Sequence, residues 1–197
     1  MGHSGRRTQA ERSAATRAAL LRAARRLFTE KGFFATGREE IAQAAGVTRG
    51  ALYHHFAGKE ELFRAVLEEL EQEVLARVAE QAVKAADPLD QLAIGSAAYL
   101  DAAMDPAVQR ICLLDGPSVL GWDTRQELAE TYGMGLIRQV LLEAMEAGHI
   151  ERRPVEPLAH VLMAGLHEAA MYVARSPNPR KARNEVGAVV ERIVGGL

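Results

Sequence analysis

The stretch GVTRGALYHHF, residues 46–56, decides how the chain is read. Gly46 is a helix stop, and Thr48 is an N-cap that opens a new short helix over Arg49 to His55. In such a helix Val47, Leu52 and Phe56 are the inward anchors. The remaining face carries Arg49, Gly50, Tyr53, His54 and His55. Arginine can present a two-pronged donor to guanine, and glycine lets the backbone approach another surface closely. Tyrosine and histidine can reach phosphates or base edges. The adjacent histidines point about 100° apart on a helix, so no metal pair is read there.

Upstream, Leu20, Ala24, Leu27 and Phe28 recur at helical spacing among Arg17, Arg22, Arg25 and Arg26, and Gly32 ends that basic helix. Thr36-Gly-Arg-Glu39 has the form of a capping box and starts a short helix over 37–45. Two short helices with a glycine turn between them, preceded by a basic helix, make a helix-turn-helix. The first would lie across the DNA backbone and the second would enter the major groove. The amide ends at Thr36 and Gly58, together with Lys59, suit phosphate oxygens. The DNA-facing set is therefore Thr36, Arg38, Thr48, Arg49, Gly50, Tyr53, His54, His55 and Lys59.

Downstream, Phe63, Val66, Leu67, Leu70, Val74 and Val78 predict one long amphipathic helix from Lys59 to about Ala85. No linker separates head from body, so the two share this helix. The expected organisation is a flexible basic arm over 1–15, a helix-turn-helix domain over 16–62 and a helical body over 63–197. Later helix starts pair a cap with proline: Asp87-Pro88, Asp105-Pro106, Glu156-Pro157 and Asn178-Pro179. LLDGPSVLGWDTRQE, residues 113–127, is expected to be an irregular link entering a helix near Asp123, which runs to about Ala147 with Gly148 as its stop. No β alternation is present, and the fold class is all-α.

Composition agrees. The 197 residues are 48% hydrophobic but only 5% aromatic, poor material for sheets. The net charge of −2 hides an asymmetry: residues 1–56 carry +6 and residues 57–197 carry −8. A basic head on an acidic body suggests that the head meets a polyanion. Cys112 is the sole cysteine, so no internal disulfide is possible, which fits a reducing cytoplasm. No apolar run approaches a membrane span, and no secretory or myristoylation signal is present, so a cytoplasmic, membrane-free protein is expected. No nucleophile elbow, phosphate loop, dinucleotide fingerprint or zinc-ligand cluster appears. An enzyme is not expected, and neither catalytic residues, nor a metal, nor a cofactor are assigned.

AARRLFTEKGFFATGREEIAQAAGVTRGALYHHFAGKEELFRAVL, residues 23–67, resembles the N-terminal domain of TetR/AcrR-type transcriptional regulators. The resemblance rests on LF, KGF, a threonine before the second helix, IA-x-x-AGV, LY-x-HF and KEEL. It departs from the family pattern at Gly58, where Ser or Asn is commoner, and at Gly37. The resemblance implies an all-α homodimer with a three-helix DNA head and a ligand-binding, dimerising body. It also implies repression of a double-stranded DNA operator, relieved by a small-molecule effector; some members activate instead. Effector-pocket candidates in the body are Tyr99, Met104, Cys112, Trp122, His167 and Met171. The last two helices, about 156–174 and 179–195, are the dimer candidates, through Leu158, Leu162, Gly165, Val186, Val190 and Ile193.

Overall fold

The computed structural model describes residues 8–197, apart from the side chains of Trp122 and Arg125. The described residues form helices and turns, with no strand among them. The chain divides into two compact units, Met1–Val66 and Leu67–Leu197, a few residues beyond the expected boundary at 62.

In the first unit, α1 spans Gln9–Lys31, α2 Arg38–Ala44 and α3 Arg49–His55, and α4 (Lys59–Ala82) begins. The expected arm over 1–15 is corrected in its second half. Thr8 accepts from the Glu11 amide while Glu11 reaches back to the Thr8 amide, a reciprocal cap that starts α1 at Gln9. Residues 1–7 lie outside the described residues. The core of this unit is an aromatic cluster in which Phe63 stands edge-on to Phe28 and Phe33, at centroid distances of 5.2 and 5.1 Å. Leu20, Ile41, Leu52 and Leu62 complete it. Each such side chain contributes about 1.5–3 kcal/mol by leaving water.

The capping box expected at Thr36-Glu39 does not form. Gly37 is the N-cap of α2, and Thr36 is buried. The Thr36 hydroxyl donates inward, 2.8 Å from the Gly32 carbonyl and 3.3 Å from that of Leu27. Glu40, one residue later than expected, accepts from the Gly37 amide. The turn from α2 to α3 follows expectation: Gly46 takes φ 68°, a left-handed conformation that side chains with a Cβ resist.

The second unit holds the rest of α4, then α5 (Pro88–Ala102), α6 (Gly116–Ala129), α7 (Gly135–Glu146), α8 (Val155–Arg175) and α9 (Pro179–Val194). α8 packs on α9, and α5 on both α7 and α9. Leu141, Ala159 and Leu162 centre one core cluster, and Leu100, Leu113 and Ala170 another. The irregular link expected over 113–127 is instead helical. A π-helical stretch, Val108–Asp115, runs into α6, and a second, Glu130–Met134, joins α6 to α7. The glycines and proline misled the reading because Pro117 sits at the start of α6, where its fixed φ is compatible with a helix. The one true break is Gly121, at φ 78° and ψ 174°, two residues from the helix start expected at Asp123. α8 starts at Val155, with Pro154 at the cap, so Glu156 lies in the first turn rather than before it. No helix among the described residues is long and apolar enough to cross a membrane.

Candidate nucleic-acid interface and body cavity

α3 is short, and its start is capped by the residue before it. Thr48 takes an extended backbone (φ −73°, ψ 154°), and its hydroxyl accepts from the Ala51 amide at 3.2 Å. Leu52 and Phe56 are buried, with Val47 half-buried, as their spacing predicts. This fixes the opposite face, where Arg49, Gly50, Tyr53 and His54 are exposed and His55 is half-buried. The histidine rings meet edge-on at 5.3 Å. A Cβ on Gly50 would find nothing nearer than the Thr48 hydroxyl at 3.9 Å, so the fold leaves that surface open without requiring glycine.

The charged residues around α3 form a layered group. The Tyr53 ring lies under two guanidinium groups, Arg38 at 5.1 Å and Arg49 at 5.5 Å. Arg49 Nη1 donates to Glu39 Oε1 at 2.8 Å, and Nη2 donates to the Tyr53 hydroxyl at 3.4 Å. These contacts, the Tyr53 hydrogen bond first, raise the pKa of Arg49 further and keep it charged. Glu39, expected to cap α2, thus faces α3. Lys31 donates to Glu40 and holds that carboxyl below its ordinary pKa, opposed by slight desolvation and aided by the Gly37 amide.

Two of the sequence-derived DNA contacts change character. Thr36 is buried with its hydroxyl turned inward, and its own amide donates to the Phe33 carbonyl, so it offers no group to a phosphate. Lys59 Nζ donates to the carbonyls of Phe33 (2.9 Å) and Thr36 (3.0 Å) and lies 4.1 Å from the Phe33 ring centre. It ties the start of α4 to the turn before α2, which leaves one N–H of the ammonium for any further partner.

The second unit contains a cavity of about 590 Å³ that opens to the surface. Its walls are mainly apolar: Leu67, Val74 and Val78 from α4, Leu113 from the π-helical stretch, and Leu166 and Met171 from α8. Of the pocket residues expected from sequence, Tyr99, Cys112, His167 and Met171 line it. Met104 does not; it is half-buried in the turn after α5, because the helix ends at Ala102 and turns the chain away. The Trp122 side chain lies outside the described residues. Sequence reasoning missed Glu71, Tyr132 and His160, which also line the cavity. Their one signal was a polar side chain beside apolar neighbours at helical spacing. His160 and His167 share this wall, yet the described residues hold no group of three potential ligands placed for a metal.

The dimer candidates also divide. Leu162 is buried, and Leu158, Val186 and Val190, each half-buried, pack against the protomer's own core. Gly165 and Ile193 are exposed. Around them α8 and α9 expose Val161 (69%), Tyr172 (53%) and Val189 (56%), beside Ile193 at 55%. Val161, Gly165 and Tyr172 recur at helical spacing along α8, as Val189 and Ile193 do along α9.

Comparison with known proteins accounts for both units. Residues 20–66 match the family model described as bacterial regulatory proteins, tetR family. Residues 89–197 match the tetracyclin repressor-like C-terminal domain. The chain is similar to the HTH-type transcriptional regulator TtgR of Pseudomonas putida, 46% identical over 77 residues, which is 38% of this chain and 36% of that protein. It is also similar to the HTH-type transcriptional repressor KstR2 of Mycobacterium tuberculosis, 40% identical over 76 residues, which is 39% of this chain and 38% of that one. The chain thus aligns with well under half the length of these curated relatives. A crystal structure of a TetR-family transcriptional regulator from Pectobacterium atrosepticum superposes with a TM-score of 0.83 at 30% identity, covering 97% of each chain. With a helix-turn-helix at its N-terminus and the matching helical body behind it, this chain belongs to the TetR family: it is a DNA-binding transcriptional regulator and not an enzyme.

Proposed function

We propose that the protein is a repressor that binds a near-palindromic operator as a homodimer and is released by a small lipophilic effector in the body cavity. The observation that carries this reading is the pairing of an exposed Arg49–Gly50–Tyr53 face on α3 with a largely apolar 590 Å³ cavity in the other unit. Arg49 reads guanine, Gly50 admits the backbone to the groove floor, and Arg38, His54 and His55 contact phosphates or neighbouring bases. Lys59 acts mainly by holding the α2 entry in place. The apolar stripe on α8 and α9 is the dimer surface. A monomer would leave Val161, Tyr172, Val189 and Ile193 in water. Two heads on one duplex need half-sites about one helical turn apart, or a multiple of it, which gives the operator its symmetry. KstR2's description as a repressor supports the sign of regulation. The cavity's apolar walls favour a lipophilic molecule, and Glu71, Glu130 and Glu168 in its lining, on an acidic body, favour one that is uncharged or cationic.

Selection from a random duplex library tests the DNA half, with sedimentation at low micromolar concentration testing assembly. The expected outcome is an enriched near-palindrome bound by a dimer, with affinity falling steeply as salt rises. Enrichment of nothing, or a monomer on a single half-site, contradicts the proposal.

A further inference from the structure

A carboxylate on a surface that meets DNA repels the phosphates, so its presence needs a local reason. Glu39 is such a group, in the first turn of α2. It makes no helix cap, since Glu40 takes the Gly37 amide, and it joins no core. Its contact is the 2.8 Å hydrogen bond from Arg49, and the two side chains are 74% and 65% exposed. An ion pair this open to water adds little to stability.

The geometry around Arg49 suggests a different use. Free arginine side chains sample many rotamers, and that freedom is lost when the guanidinium docks on a base. Here it is restricted beforehand. Glu39 holds Nη1, the Tyr53 hydroxyl holds Nη2, and the Tyr53 ring lies 5.5 Å from the guanidinium carbon. The guanidinium N–H groups not used in these two bonds still suffice for a two-pronged contact with guanine. Glu39 and a base can therefore be satisfied together. We propose that Glu39 is a positioning residue for base reading: it orients Arg49, lowering affinity for DNA of any sequence while sharpening discrimination at one base pair. This inference rests on the reading of α3 as the recognition helix.

The test uses the full-length protein and the duplex enriched by the wild type, with each base pair of that duplex substituted in turn. Glu39→Gln and Glu39→Ala should both bind unrelated DNA more tightly, roughly two- to fivefold at low salt, because each removes one repelling charge. At the base pair most sensitive to Arg49→Ala, Glu39→Ala should lose about three- to tenfold of the discrimination. Glu39→Gln, whose amide oxygen still accepts from Nη1, should keep most of it and serves as the control for folding. In the Arg49→Ala background, Glu39→Ala should change no discrimination. Full discrimination by Glu39→Ala overturns the inference. So does an equal loss with and without Arg49, which would make Glu39 a base reader itself. A wild type that enriches no duplex overturns the DNA-binding reading and this inference with it, whereas enrichment followed by either of the other results overturns only the inference.

Discussion

Gly50 in the first unit and Gly95 in the second are both glycines inside helices that the fold does not require. A Cβ on Gly50 would have open space, and one on Gly95 would meet Val78 Cγ1 at 3.6 Å, an ordinary contact. Either glycine weakens its helix by roughly 0.5–1 kcal/mol relative to alanine. Gly50 lies on the exposed face of α3, and Gly95 lines the body cavity. Each unit thus gives up helix stability at the surface proposed to receive a partner, outside on the head and inside in the body. The units differ in how that surface is built. The head presents side chains fixed by short-range caps and an aromatic core. The body presents a space, walled by helices that include two π-helical stretches.

The largest expected effect probes the head's core. Phe63→Ala removes the ring that joins Phe28 and Phe33, and should cost about 3–5 kcal/mol in chemical denaturation. DNA binding should go with it. A head that stays folded would mean that its rigidity comes from the caps rather than the core. Next, Lys59→Met should cost about 1–3 kcal/mol by taking the ammonium donor from the Thr36 carbonyl and leaving the Phe33 carbonyl with the Thr36 amide alone. Unchanged stability with a flattened salt dependence would return Lys59 to the role of phosphate clamp.

The two glycines sharpen the comparison directly. Gly50→Ala and Gly95→Ala should each stabilise the protein by about 0.5–1 kcal/mol in thermal unfolding. Gly50→Ala should weaken operator binding and leave effector binding alone, and Gly95→Ala should do the reverse. If either variant weakens both, the division of labour is wrong. The smallest effect concerns pH. Glu40 is held below its ordinary pKa of 4.5, first by the Lys31 hydrogen bond. Its contribution is therefore complete above that value and is lost as pH falls through the lower folded-state pKa. Glu40→Gln should lower stability slightly at neutral pH and converge on the wild type as pH falls through the folded-state pKa of Glu40, which flattens the acid limb of the profile.

The head was legible in the sequence because its determinants are local. Gly46, Thr48, Leu52 and Phe56 each act within a turn or two, and each does what its spacing predicts. The failures there came from competition over short distances: Thr36 satisfies its hydroxyl at Gly32 rather than at the start of α2, and Lys59 finds carbonyls from a turn twenty residues and more upstream. The body was less legible because its determinants are long-range. Which of Leu162 and Val161 faces inward depends on packing against α7 and α9, and helical periodicity alone does not say which stripe is core. Tyr172 has the same history; it reads as one more aromatic on an apolar helix, yet it is exposed. The cavity itself is a property of several helices, so sequence could name candidates such as Tyr99 and His167 but not exclude Met104.

If a molecule in the body cavity governs release of DNA, its effect must appear in both directions. Lipophilic compounds that raise the melting temperature supply the probe, and anisotropy titrations then measure operator affinity with and without the compound, and compound affinity with and without the operator. The account predicts a loss of operator affinity of about 5- to 150-fold, with the same factor lost in compound affinity when DNA is bound. A compound that binds the cavity tightly, as shown by its weakening in Gly95→Ala, yet leaves operator affinity unchanged or increases it, would contradict release by an effector.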